Sequence, residues 1–268
     1  ANYLSLYLVA PFLLSVMFIF KRDKKERLYN YINIGSFIIM LSALLLTKSY
    51  AAIIGVFGAL ILYFVYTLFL RKGYKGNRRI AIIGFLILIS VFIGVIASQI
   101  NTPKFQQFLD WENRSSTSVR LEIYETAWNI TSDNYLFGIG PGLFQANYQL
   151  AAPEVLGHAP MEWNIPHPHN IFFAFWLNGG LFGIVALLAF LILAHRKFTY
   201  PLVALWGIVI HGLFDTPFWK NDLSMIFWVV LGAIIILQTY GTDTTKKQKA
   251  LIRKRLTPRV SHRVRVRD

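Results

Sequence analysis

The residues best placed to do chemistry are Pro166-His167-Pro168-His169-Asn170, which close a long polar segment and open an apolar run. A neutral imidazole, with an unperturbed pKa of about 6.5, can take a proton from a hydroxyl at ordinary pH. The two prolines restrict the backbone around His167 and either aim the pair or simply terminate the segment. With His158 and Glu162, the pair also offers nitrogen and oxygen donors of the kind that hold zinc. Two histidines two apart on an extended segment point to opposite sides, however, and the other donors have no fixed spacing, so no metal site is expected. Farther on, His211 lies near the end of an apolar run, with Asp215 four residues later. Ionisable groups in such runs are costly and often functional; a His211–Asp215 pair is expected here as support for a site.

These side chains need a scaffold, and composition fixes its class. The 268 residues are 55% hydrophobic, 16% aromatic and 15% charged, too apolar for one soluble domain. Runs near the length a bilayer requires, about 20 residues, occur at Tyr3–Phe20, Tyr31–Leu46, Ala51–Leu70, Ile80–Ser98, Asn170–Ala194, Phe198–Phe214 and Leu223–Tyr240. They lack the polar stripes of a soluble helical core. The expected fold is an all-α polytopic transmembrane bundle of about seven spans, with the shorter runs tilted or buried among neighbours.

Charge then orients the bundle. Of 27 Lys and Arg, 22 fall in Lys21–Arg27, Arg71–Arg79, Arg196–Lys197 and the tail from Lys246 to Arg267, which are alternate connections. Only Lys48, Lys104, Arg114, Arg120 and Lys220 lie in the others. The positive-inside rule makes the 22 cytoplasmic. The net charge of +14 therefore reports topology; membrane lipid, not nucleic acid, is the expected partner of the basic tail. The same alternation places residue 1 outside the cytoplasm with no charged n-region before the first span, which reads as the C-terminal portion of a longer protein. Cysteine is absent, so disulfides and thiolate metal sites are excluded.

The chain divides into spans at 1–98, an extracytoplasmic loop at 99–168, further spans at 169–240 and a basic cytoplasmic tail at 241–268, expected to be disordered. Loops as long as 99–168 are uncommon without a role, and this one holds six of the ten prolines. It also carries the acids Asp110, Glu112, Glu122, Glu125, Asp133, Glu154 and Glu162. Within it, Ser118–Asp133 predicts a helix: Val119, Ile123, Ala127 and Ile130 form one apolar strip, and Leu121, Tyr124 and Trp128 another. Phe137-Gly-Ile-Gly-Pro-Gly142 breaks regular structure. No strand precedes it and Pro141 removes an amide, so it is not expected to cradle phosphate.

Several of these pieces occur together elsewhere. Arg120-Leu-Glu-Ile-Tyr-Glu-Thr-Ala-Trp128, Leu136-Phe-Gly-Ile-Gly-Pro-Gly142 with Phe144, His167-Pro-His-Asn170 leading to Leu177-Asn-Gly-Gly-Leu-Phe-Gly183, and His211-Gly-Leu-Phe-Asp215 follow one another around a single long loop. In this order the chain, up to about Gln238, resembles the O-antigen ligase and O-antigen polymerase superfamily. One departure stands out: where the family often has Ser-Arg after a Thr at the end of a span, this chain reads Thr47-Lys48-Ser49-Tyr50, which leaves open whether Lys48 supplies the missing charge and whether activity survives.

The resemblance implies an enzyme of the cytoplasmic membrane, with its active site on the outer side. It would move a glycan from a polyprenyl (undecaprenyl) diphosphate carrier to a hydroxyl of a lipid, glycan or protein acceptor, without metal or cofactor. Such a reaction needs cations on the diphosphate leaving group, a base for the attacking hydroxyl and an apolar cleft for the prenyl chain. Arg120 fits the first role, because its guanidinium stays charged and pairs with phosphate oxygens; the competing reading is a salt bridge to a loop acid. His169 fits the second. Arg114, Lys48, His167, Asn170, His211 and Asp215 are further candidates for substrate contact. Lys48 could equally snorkel, and Asp215, Trp219 and Asp222 could equally belong to an interfacial belt. The rival functions are a transporter of a small anion such as bicarbonate, a label given to some relatives, and a catalytically degenerate relative. A transporter would place ionisable groups near the midplane, and the spans carry essentially none there.

Overall fold

The computed structural model describes residues 2–20, 27–71, 78–110, 113–218 and 221–256. Ten α-helices and no strand lie among the described residues. Seven apolar helices occupy the seven expected runs: α1 (Asn2–Phe20), α2 (Arg27–Thr47), α3 (Tyr50–Val65, continued by a π-helical turn at Tyr66–Leu70), α4 (Arg78–Gln99), α8 (Ile171–Ala194), α9 (Tyr200–His211) and α10 (Asn221–Leu256). Three more, α5 (Pro103–Leu109), α6 (Ser116–Asp133) and α7 (Phe144–Leu156), fold from the long loop. The molecule is a polytopic helical membrane bundle.

Five of the seven apolar helices are long enough to cross a bilayer, while α1 and α9 are shorter. At 12 residues, α9 reaches about 18 Å, well short of a hydrocarbon core of about 30 Å. It need not reach lipid at either end, because α1, α3 and α10 surround it. Leu202, Val203, Ala204, Leu205 and Ile208 are accordingly almost wholly enclosed. By contrast, α4 exposes Ile82, Ile83, Leu86, Ile87, Val91 and Ile93, a surface suited to acyl chains. Beyond Tyr240, α10 continues as helix to Leu256, through the first part of the segment expected as a disordered tail; residues 257–268 lie outside the described residues.

Contacts between sequence-distant connections sort the helix ends into two faces. On one, Lys104 Nζ donates to the Lys48 carbonyl, and Tyr3 donates to Asp222. On the other, Arg78 donates to the Leu68 carbonyl at 2.7 Å and Lys197 to that of Gln238 at 3.3 Å. The first face carries all three loop helices and is called the loop face below. The second carries Arg27, Arg71, Arg78, Arg79, Arg196 and Lys197.

The loop helices form a small module with its own core. Ser115 caps α6 through a capping box with Ser118, a device that satisfies backbone donors at a helix start. Ile123, Ala127 and Ile130 then pack on Phe144, Tyr148, Ala152, Ile165 and Leu177. The first predicted strip is therefore the buried one; Leu121 and Trp128 of the second remain exposed. The module is keyed into α8. Gly180 adopts φ 60° and breaks that helix, and Leu181 N–H donates to the Leu136 carbonyl at 3.1 Å. Reciprocally, the amides of Ile139 and Gly140 donate to the Leu177 carbonyl at 2.7 and 3.2 Å. A methyl group on Gly180 would lie 2.1 Å from the Leu136 oxygen, and one on Gly138 would lie 2.4 Å from that of Leu177. The glycine-rich segment thus serves as a brace, with the Ile139 and Gly140 amides turned to α8.

Candidate active site

The loop face carries a cavity of about 450 Å³ lined by Gln107, Arg114, Ser115, Ser116, Val119, Arg120, Ile123 and His169. Arg114, Arg120 and His169, named above from sequence, therefore share one wall-to-wall space. Arg120 projects from α6. Its Nε donates to the Phe214 carbonyl at 2.9 Å and Nη1 to the Ser116 carbonyl at 2.8 Å. These bonds fix the plane of the guanidinium while using only two of its five N–H groups. The expected competitor, a salt bridge with a loop acid, does not form among the described residues; it is Arg114 that pairs with Glu162, at 2.8 Å.

His169 precedes α8. Asn170 caps that helix, its Oδ1 accepting from the amides of Phe172 and Phe173 at 2.9 and 3.3 Å, and its Nδ2 reaching the Leu213 carbonyl at 3.4 Å. This candidate for substrate contact is thus occupied in holding the backbone. His169 itself sits at φ 49°, in the left-handed region that L residues seldom occupy. The segment is not extended there, which corrects the expectation that the two imidazoles diverge: their ring centroids are 4.2 Å apart, inclined at 53°. Tyr124 from α6 supports this turn. Its hydroxyl lies 3.0 Å from the His169 carbonyl and 2.7 Å from that of Leu213. Burial, partly opposed by Arg120, pushes the phenol up to about 12, so it remains a donor.

Asp215 completes the arrangement. Its Oδ1 lies 3.3 Å from His169 Nδ1, with the two side chains only 15% and 25% exposed. The ring N–H is not squarely aimed, since Nδ1 makes no full hydrogen bond. Burial pushes the Asp215 carboxyl up, but the His169 contact, the Thr216 amide and the nearby His167 outweigh it and bring it down to about 2. The expected His211–Asp215 pair is not formed: neither ring nitrogen of His211 has a hydrogen-bond partner among the described residues. His211 is fully enclosed, close against Gly55 of α3. The turn after α9 swings Asp215 toward His169 instead. His167 Nδ1 stands 3.2 Å from Thr216 Oγ1 on the same turn.

Other candidates lie apart from the cavity. Lys48, at φ 49°, occupies the α2–α3 turn. Beside it Lys104 Nζ stands 5.3 Å from the centre of the Tyr50 ring, so two lysines gather at this turn. His158 faces Glu122 at 4.0 Å, and Glu162 is held by Arg114, so the donor set first considered for a metal is dispersed. Asp222 accepts from Tyr3; Trp219 and Lys220 lie outside the described residues. A second, larger space of about 560 Å³ runs between α1, α2, α3 and α4. Its lining is almost wholly apolar, from Leu45, Ala52 and Val91 at the loop-face end to Thr67, Ile80 and Ala81 at the other.

Sequence reasoning missed two supporting residues. Tyr124 falls on the predicted apolar strip, yet a phenol on such a strip needs a partner when buried. Glu122, counted among the loop charges, is buried and accepts from the Met161 amide at 2.8 Å, tying the segment before His167 to α6.

Fold and site together define a multi-pass membrane protein with an arginine–imidazole site beneath a helical cap. A family model described as O-antigen ligase matches residues 35–188, and the chain belongs to that family, whose members are membrane glycosyltransferases working on lipid-linked glycans and acceptors. Comparison with curated proteins finds no match. The matched region includes Arg114, Arg120, His167 and His169, whereas Asp215 lies beyond it.

Proposed function

We propose that the protein transfers a glycan from a polyprenyl diphosphate to an acceptor hydroxyl on the non-cytoplasmic side of the cytoplasmic membrane. The single observation that carries this reading is the cavity in which Arg120, Arg114 and His169 meet with Asp215 behind the imidazole. The ionised Asp215 favours the proton on His169 Nδ1, which leaves the Nε2 lone pair to accept the proton of the acceptor hydroxyl. As that proton moves, the acceptor oxygen bonds to the anomeric carbon and the carbon–oxygen bond to phosphate breaks. The diphosphate leaves with the electron pair, and the unused N–H groups of Arg120 stabilise its growing charge. Arg114 adds a second cation once Glu162 gives way.

The apolar space among α1–α4 suits the prenyl chain. The distribution of Lys and Arg supports the orientation: the opposite face holds the basic connections, which stay cytoplasmic. The interiors of the described spans hold no Asp, Glu, Lys or Arg, which speaks against a transport path.

The test compares acceptor-bound and carrier-bound glycan in cells carrying wild type or His169→Ala at equal membrane levels. Loss of acceptor-bound product with accumulation on the carrier is the expected result. Unchanged pools would remove His169 as the base and turn attention to transport.

A further inference from the structure

We propose that His167, His169 and Asp215 form a binding site for a first-row transition metal. One ligand atom from each lies within 4.8 Å of the other two, and the His169–Asp215 pair is already at 3.3 Å. Metal–ligand bonds of about 2.0–2.2 Å in tetrahedral geometry place neighbouring ligand atoms about 3.4 Å apart. Small rotations of the two imidazoles, which already touch, bring the third atom in. Two nitrogens and a carboxylate oxygen are a zinc-type donor set that leaves the fourth position to water, and the nitrogens select against magnesium and calcium. The left-handed backbone at His169 is what assembles the set, because in an extended segment the rings would face apart.

Resting on the reading of His169 as base, occupancy has a defined consequence. Coordination through Nδ1 leaves the ring proton on Nε2, and coordination through Nε2 consumes the lone pair directly. Either way His169 loses the capacity to accept a proton, so the metal is an inhibitor.

The experiment uses the full chain in detergent, stripped with a chelator and titrated with Zn²⁺ against a chromophoric competitor, with Mg²⁺ as control. One Zn²⁺ per chain is expected. Affinity should fall in His167→Ala and Asp215→Asn by at least the roughly 10–100-fold that loss of even an outer-shell partner costs. His158→Ala, which removes an exposed histidine outside the cluster, should bind as wild type. Absence of stoichiometric binding, equal binding in His167→Ala, or loss in His158→Ala overturns the site. The transfer assay is read separately: Zn²⁺ should inhibit and chelator should restore. Stoichiometric binding without inhibition would leave the site standing and sink the base assignment instead.

Discussion

His169 and His195 flank the same helix, one before α8 and one closing it, and they are chemically opposite. His195 is exposed, yet both its nitrogens are engaged: Nδ1 donates to the Leu191 carbonyl at 2.6 Å and Nε2 accepts from the Trp206 indole at 2.7 Å. That pattern fixes one neutral tautomer and leaves no lone pair for a substrate. His169 is more enclosed, but Asp215 meets one nitrogen only and the ring lines a cavity shared with two arginines. What separates the two imidazoles is the unclaimed lone pair and its company, not exposure.

Four substitutions press on that contrast. His169→Ala should cut turnover about 10²–10⁴-fold, the usual contribution of a general base, measured on purified enzyme with lipid-linked donor. Asp215→Asn should cost about 100-fold through a misplaced imidazole, mainly in kcat. It also carries a pH signature. The Asp215 carboxyl is held down to about 2 in the folded protein, below its unfolded value of about 3.9. Its stabilising contribution is therefore complete above the unfolded value and lost as pH falls through the folded one. Thermal unfolding should show wild type exceeding Asp215→Asn at pH 6 and the gap closing toward pH 2; a constant gap would remove the ionised pair. Tyr124→Phe removes one hydroxyl worth about 0.5–1.5 kcal/mol, so a roughly two- to tenfold fall in kcat with KM held is expected. Smallest of all, His195→Ala should leave transfer unchanged while lowering stability by about 1 kcal/mol. Loss of transfer in that variant, with membrane levels intact, would break the comparison.

The bundle was legible because apolar runs and charge alternation state it directly. That Arg120 and His169 come together in one cavity was legible through motif order, since each motif sits on one local segment. The partner of His169 was not. His211 stands four residues before Asp215, one helical turn away, and that spacing suggested a pair; but α9 ends at His211, so the helical register no longer governs Asp215. The divergence expected of His167 and His169 failed for a similar reason. A residue before proline is pushed toward extended backbone, which describes His167 but says nothing of His169, whose left-handed turn is held by Tyr124 and by the docking of Ile171 on Gly212. Those contacts join residues far apart in the chain and leave no local trace.

The interlocked glycines, Gly180 on α8 and Gly138 before α7, set where this enzyme can and cannot flex. With Leu136 seated against Gly180 and Gly138 against Leu177, the brace has no free volume in which to slide, so it acts as a fixed pivot. The segment at residues 157–168 is held by side chains instead: the Met161 amide donates to Glu122 of α6, Glu162 pairs with Arg114 just before that helix, and Gln149 reaches the Trp163 carbonyl, so any widening of the cavity to admit a bulky glycan falls to these contacts rather than to the brace.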